Sequence, residues 1–588
     1  MKDRVSNDIG AREPLKEWAD INWKLVKKRV RNLRQRIYRA TQDNQWNQVR
    51  SLMKLMLRSF SNLLLSVRKT TQENQGKRTA GVDRQTVLTP EKRVKLIKEM
   101  RERPFRKVKP TRRVYIAKAN GKRRPLGIAT IKDRVAQAVV KNALEPSWEA
   151  RFEANSYGFR PGRSVHDAIA QSHQRLRSGM DTWVLEADIK GCFDNISQKY
   201  ILLALGQVPG RELIKQWLKA GYVEAEMLHE TKSGVPQGGI ISPLLANIAL
   251  DGLDELLSQH KKVKVYQSLE NKSGKIKSVK QKQNKYGFIR YADDFIVTAQ
   301  TREDIEAIIP VINEWLKERG LTLSQEKTRI THVGKGINFL GFHIRQFKGK
   351  TLTLPQKEKV LTKLREIRAW LKKNTHTTPE NVICYLNPII RGFGNFYRTG
   401  ASKAVLYYID TQIWKALWRW AQRRHSTQDN RWGTGRVKKK YFCRYQGQDW
   451  TFFAKTQDRR EKLKLTYIFR ASSISIERHV KVKGTSSPDD PALTKYWSNR
   501  QTKYGKSYWA KNSKLRLVAE RQKWVCPVCG EQLFNGTSEE TEKLHTHHIV
   551  RVKDGGTDDI ENLIHLHKSC HTHIHSIGEI VNLELLDA

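Results

Sequence analysis

Hydrophobic and polar positions change period several times along the chain. Residues 1 to about 75 set apolar positions at helical spacing among Arg and Lys, as in WKLVKKRVRNLRQRIYRATQ, which predicts a basic helical extension. Farther on the period shortens. Phe288, Ile289 and Tyr291 lead into Ala292-Asp293-Asp294, and Phe295, Ile296 and Val297 lead out, which predicts two strands joined by a tight turn. Trp183, Val184 and Leu185 form another apolar run, so Asp188 is expected near the end of a buried strand. From about 355 the helical period returns. Thr378 and Pro379 mark a helix start, and Ile409, Ile413 and Leu417 with Trp414 and Trp418 form a stripe that fits a core better than base-stacking platforms.

Between these segments, GVPQGGIISPLL reads as a glycine-rich loop carrying Gln237, followed by a helix with Ser242 as N-cap and Pro243 in its first turn. Leu245, Ala249, Leu253 and Leu256 continue as one helical stripe. In AKANGKRRP, Lys118 and Arg124 flank an Asn-Gly turn, so their heads can meet across a hairpin. Two cations there suit a triphosphate, although two solvated surface charges are the plainer reading of these residues by themselves. Residues 260 to 285 are Lys-rich with almost no core pattern and read as an exposed loop or hairpin.

Charge narrows the partners. The 588 residues carry 110 Lys+Arg against 59 Asp+Glu, a formal net charge of +51, which implies a polyanion bound in a salt-sensitive way. Residues 431 to 470 hold 12 Lys+Arg, three acids and nine aromatics, a mixture suited to single-stranded nucleic acid or RNA. They run into ISIERHVKVKGTSSPDDP, which reads as the start of a linker. No run of 18 apolar residues and no apolar signal region occur, so a soluble, intracellular protein without membrane contact is expected. Six cysteines are too sparse for a disulfide framework.

The adjacent acids at 293 and 294 repel each other. A divalent cation is a reason to hold them together, although a lone Asp-Asp pair is also an ordinary polar turn. With Asp188 facing the hairpin tip, Asp188, Asp293 and Asp294 would form a three-carboxylate site for two Mg²⁺ ions, able to activate a 3′-hydroxyl and stabilise a leaving pyrophosphate. The last 70 or so residues hold a second chemistry. Cys526 and Cys529, then His567 and Cys570 at the same two-residue gap, suit a closed Zn²⁺ site. His571 and His575, four apart on a helix, can chelate a further ion with His547. That leaves His548 as general base for water attacking a phosphodiester, with Asn562 orienting it. A purely structural zinc ribbon that binds DNA without cutting is the plainer alternative.

Seven blocks in order resemble the reverse transcriptases encoded by group II introns: RRVYIAKANGKRRPLGIATIKDR, SYGFRPGRS, the Asp188 segment, SGVPQGGIISPLLANI, YADD, LTLSQEKT and INFLGF. The resemblance implies a multidomain α+β chain: a right-hand polymerase with antiparallel fingers and palm, an α-helical thumb, and a small zinc-stabilised HNH module matching HHIVRVKDGG and ENL. His567 stands where many relatives have Cys, which leaves the division of ligands between zinc and the endonuclease Mg²⁺ or Mn²⁺ open. By resemblance, Lys118 and Arg124 bind the triphosphate, Gln237 lies on a loop contacting nucleotide and template, Phe193 blocks the sugar 2′-position, and Lys327 is the basic residue behind the active site.

The expected organisation is a basic helical extension at 1–75, fingers and palm at 76–350, thumb or maturase domain at 351–430, a DNA-binding region and linker at 431–510, and the HNH endonuclease at 511–588. The resemblance implies an RNA-directed DNA polymerase and maturase in the bacterial cytoplasm or nucleoid. It would bind its group II intron RNA, promote splicing, nick target DNA and copy the intron with deoxynucleoside triphosphates during retrohoming. A splicing maturase with a vestigial polymerase site is the alternative, and the presence of all three carboxylates argues against it.

Overall fold

The computed structural model describes residues 15–102, 107–117, 121, 123–269, 276–425, 434–457, 463–509, 512–534 and 543–577. The basic extension is helical, with Trp23–Gln42, Trp46–Arg58 and Phe60–Arg68. Asn22 caps the first of these by accepting from Leu25 N. Their apolar faces pack on the long helix Ile131–Glu149.

Two sheets follow. Strands Thr111–Ala117 and Arg123–Ile128 form the expected hairpin, in register from Arg112 opposite Ile128 to Ala117 opposite Arg123. Short strands Tyr222–Glu224 and Met227–His229 complete this sheet. The second sheet runs Arg329–His332, Trp183–Asp188, Asp294–Ala299, Gly287–Tyr291, all antiparallel. Its two-residue side-chain period feeds two cores. Leu185, Phe288, Phe295 and Val297 join the core shared with helix Arg302–Glu318, while Val184, Ile289 and Ile296 join a second one with Ile169 of helix Val165–Arg175.

Residues 260–285 form the hairpin Lys261–Leu269 with Ile276–Asn284. The stripe expected from Leu245 to Leu256 is broken. Helix Ser242–Ala249 ends before Gly252, whose φ of +100° starts a separate helix Leu253–Ser258. Ser242 is also inside the first helix, not its N-cap, because its hydroxyl donates to Pro236 O at 2.8 Å.

Helices Lys357–Lys373, Pro379–Tyr397 and Lys403–Arg423 form a bundle, with Thr378 capping the second through Asn381 N. Trp414 and Trp418 stack on each other and meet Trp450 edge-on at the rim of this core. Strands Phe442–Tyr445, Gln448–Gln457 and Leu463–Tyr467 extend the bundle. This corrects the reading of the aromatic-rich stretch: Tyr441, Phe442, Phe452 and Phe453 are buried and cannot stack on bases.

The segment that reads as a linker is an ordered strap. Val482, Ser487 and Asp489 are buried, and Trp497 donates its indole N–H to Ser487 O. Asp167, fully buried, accepts at Oδ1 from His479, Val482 N and Arg500. Gly-Ser-Pro composition marks bends in this stretch rather than freedom. Beyond it lies a small module around the antiparallel strands Leu544–His548 and Leu563–His567 and the helix Lys568–Ile577. No helix among the described residues is long and apolar enough to cross a membrane.

Candidate functional site

The hairpin turn over Ala292 and Asp293 places three carboxylates together. Asp188, last in its strand, is paired in register with Asp294, first in the next. Ala292 adopts φ of +58°, a left-handed conformation held from two sides. The buried Arg290 guanidinium donates to Ala292 O at 3.3 Å and to Asn247 at 3.1 Å. Gly158 lies so close beneath that a Cβ there would sit 2.3 Å from Ala292 N. Glycine at 158 lets the SYGF loop brace the turn.

The electrostatics match a cation site. Burial, a hydrogen bond that its protonated form donates to Asp188, and the charges of Asp293 and Asp188 push the Asp294 carboxyl up to about 7. Asp293 is raised by burial and by Asp188, partly offset by Arg124 and Lys327. Clustered carboxylates of this kind are disfavoured as anions until positive charge is supplied, and hard oxygen donors suit Mg²⁺. Lys327 supplies part of that charge, its Nζ lying 2.6 Å from Asp188 Oδ2. Its loop is fixed by Ser324 N donating to Asp188 O.

Around the carboxylates the two sheets are joined by side chains. Arg124 Nε donates to Gln237 Oε1 at 2.9 Å, and Gln237 Nε2 donates to both Asp194 oxygens at 3.3 Å. Gly127 N donates to Gln237 O, which fixes the loop against the first sheet. Lys118 lies outside the described residues. Phe193 is buried in the short helix Cys192–Asn195 and meets Phe159 edge-on at 6.2 Å. Asp194 escaped the sequence reading. Its signal was an acid next to Phe193, but only the fold brings Gln237 to it.

The C-terminal module holds two ligand clusters. Atoms of Cys526, Cys529, His567 and Cys570 all lie within 4.8 Å of one another, and all four residues are buried. His567 Nε2 donates to Gln532 O at 3.2 Å, which turns Nδ1 toward Cys529. Such an outer hydrogen bond fixes the tautomer of a liganding imidazole. Cys529 is held toward thiolate by Cys526 and Cys570, whereas Cys526 is pushed up by Cys529, Cys570 and burial. Three sulfurs and one nitrogen fit Zn²⁺.

His547, His571 and His575 form the second cluster, with the His571 and His575 Nε2 atoms 3.3 Å apart. Burial and the neighbouring imidazoles lower His571 to about 4, so it is a neutral nitrogen donor near pH 7. His548 points to the other side of its strand. Its Nε2 lies 2.7 Å from Asp558 Oδ1, an arrangement that leaves Nδ1 to accept a proton. Asn562 does not bond to His548. It accepts from Val550 N and donates to Val550 O and Thr557 O, bracing the loop before Asp558.

Four family models match in chain order. They are the N-terminal domain of reverse transcriptase (18–100), reverse transcriptase or RNA-dependent DNA polymerase (116–344), the group II intron maturase-specific domain (361–442) and HNH endonuclease (526–576). Among curated relatives, the group II intron-encoded protein LtrA of Lactococcus lactis subsp. cremoris is 34% identical over 49% of this chain and 56% of its own. Protein YkfC of Escherichia coli is 36% identical over 40% and 66%. An uncharacterized 91 kDa protein in the cob intron of Schizosaccharomyces pombe is 30% identical over 61% and 52%. The matched parts thus span roughly half to two thirds of those relatives. With reverse transcriptase, maturase-specific and HNH endonuclease matches in this order, the chain is similar to the group II intron-encoded proteins.

Proposed function

We propose that this protein is an RNA-directed DNA polymerase and splicing maturase that also nicks DNA. It binds its group II intron RNA, promotes splicing, cuts one target strand with the HNH module and extends the new 3′-hydroxyl by copying intron RNA. The pairing of Asp188 opposite Asp294, with Asp293 in the strained turn between strands, carries this reading. The three would hold two Mg²⁺ ions, which supply nucleophile activation and leaving-group stabilisation in an in-line displacement.

The chain's own residues do the rest. Lys327 holds the Asp188 carboxylate in place. Arg124, with Lys118, binds the triphosphate, and Gln237 carries Arg124 toward Asp194. Phe193, backed by Phe159, fills the space a 2′-hydroxyl would need. In the proposed endonuclease, His548 takes a proton from water while Asp558 orients its ring. Cys526, Cys529, His567 and Cys570 hold a structural Zn²⁺, and His547, His571 and His575 a catalytic Mg²⁺ or Mn²⁺. The domain limits proposed are 76–350 for fingers and palm, 351–430 for the thumb, 431–510 for DNA binding and 511–588 for the endonuclease, with 1–75 gripping RNA. A bacterial cytoplasm or nucleoid is the proposed setting, and the fungal relative supports an organelle as the alternative.

Primer extension on an RNA template with Mg²⁺ and deoxynucleotides tests the polymerase. Asp293→Ala is expected to lower extension by more than about a hundredfold, since even outer-shell changes at metal sites cost 10–100-fold. Absence of extension in both proteins, with intron RNA still bound and spliced, would favour the vestigial-site alternative.

A further inference from the structure

The two ligand clusters and the polymerase site leave one contact unexplained: the C-terminal metal module is clasped by helices some 500 residues earlier in the chain. Arg68, buried at the end of helix Phe60–Arg68, donates through Nη2 to Ser569 Oγ and to Cys570 Sγ, the latter at 3.3 Å. Its guanidinium also lies over the Trp23 ring at 4.4 Å, and Trp23 meets His573 edge-on at 6.4 Å. Lys27, half-buried and one turn after Trp23 on the same helix, lies within electrostatic reach of Cys529, Cys570 and Glu73. Arg31 adds an ion pair to Glu531 at 3.1 Å on the rim.

We propose that Lys27 and Arg68 are outer-sphere partners of the Cys526, Cys529, His567 and Cys570 site, and that metal loading docks the endonuclease module onto the N-terminal helices. This rests on the reading of that cluster as a Zn²⁺ site. The reason is charge balance. Three thiolates around a divalent ion leave one net negative charge, and Glu73, 3.0 Å from Arg68 Nε, adds another. Together they match Lys27 and Arg68. Without the metal that balance is lost and nothing fixes Cys570 Sγ at the point where Arg68 donates to it, so the contact opens. A sulfur already ligated to zinc still accepts a hydrogen bond, so Arg68 and the metal share Cys570 without competing.

The test uses the full chain, with metal content and hydrogen exchange measured on the same samples. With zinc bound, residues 23–31 are expected to exchange slowly, and Arg68→Met should speed them about tenfold or more while zinc stays at one per chain and strands 544–548 and 563–567 stay protected. Arg68→Lys, which keeps the charge, should restore most of the protection. Lys27→Met offers the same comparison should Arg68→Met fail to fold. Chelation should speed 23–31 in the wild type and change them little in Arg68→Met. Unchanged exchange in both methionine variants with zinc retained would overturn the proposal, as would Arg68→Lys behaving like Arg68→Met. A wild-type chain that binds no zinc would instead overturn the metal reading beneath it, and metal analysis separates the two failures.

Discussion

Replacing Asp167 by Asn should free the strap that leads from the bundle to the C-terminal module. The carboxylate is fully buried and has five hydrogen bonds: Oδ1 accepts from His479, Val482 N and Arg500 at 2.8–2.9 Å, and Oδ2 from Ser164 N and Oγ at 2.8 Å. Burial alone would raise its pKa, but His479, Arg500 and Ser164 hold it at about 2, against 3.8 for a free Asp. That difference is about 2 kcal/mol at 1.36 kcal/mol per unit. Because the folded value is the lower one, this stability is present above pH 3.8 and is lost as pH falls through about 2. An Asn amide keeps one acceptor but loses the charge and turns an N–H toward the Ser164 donors, adding roughly 1–3 kcal/mol for groups left unsatisfied. Even the lower end of the total, about 3 kcal/mol, corresponds to roughly a hundredfold in local opening. Hydrogen exchange at pH 7 should therefore show residues 479–500 exchanging about a hundredfold faster in Asp167→Asn. Ser164→Ala, which removes only contacts within the helix start, should leave the strap protected. Strap exchange in Asp167→Asn that matches the wild type would refute the reasoning, because the buried carboxylate would then not be what fixes the strap.

Gly158→Ala forces a Cβ to within 2.3 Å of Ala292 N, so the turn must shift. Overpacking of this kind costs about 1–3 kcal/mol, and primer extension should fall while DNA nicking is unaffected. Phe193→Ala opens space against Phe159, and ribonucleotide incorporation relative to deoxynucleotide should rise about tenfold or more in a competition assay. His548→Ala should abolish nicking of a target duplex. Asn562→Ala should weaken nicking and also loosen the loop it bonds at Val550 and Thr557, visible as faster exchange there; nicking lost without loosening would mean that Asn562 touches substrate directly.

Local chemistry was legible in the sequence wherever the deciding neighbours were close or the ligand spacing was itself informative. The two strands around Asp293 followed from the β-branched and aromatic runs on either side of it, and the Thr378 cap from one hydroxyl before a proline. Cys526, Cys529, His567 and Cys570 announced themselves because a closed metal site needs paired ligands at short gaps. What stayed hidden depended on distant partners. Tyr441, Phe442 and Phe452 look like base-stacking aromatics among lysines until Trp420 covers Tyr441 and Phe452 and Trp418 meets Phe442. Asn562 sits where an orienting residue was expected, yet its amide fits Val550 and Thr557, while Asp558 takes the contact with His548.

The buried ion pairs explain why the packing of the basic extension was not legible in its run of Arg and Lys. Arg34 belongs to a helix crowded with Arg and Lys, yet its guanidinium binds Asp489 at 2.7 and 2.8 Å and Glu145 at 3.0 Å, with all three side chains at least 85% covered. Arg160 is paired with Glu149 in the same way, both side chains 1% exposed. Each such pair consumes an acid internally and cancels only the cation beside it. The excess of 51 positive charges therefore resides in the remaining Lys and Arg, and burying those acids leaves the outer surface more uniformly positive than composition alone suggests. A surface of that kind attracts a polyanion over its whole extent, so its specificity must come from shape and from the few side chains in the two sites, and its affinity must fall steeply with salt.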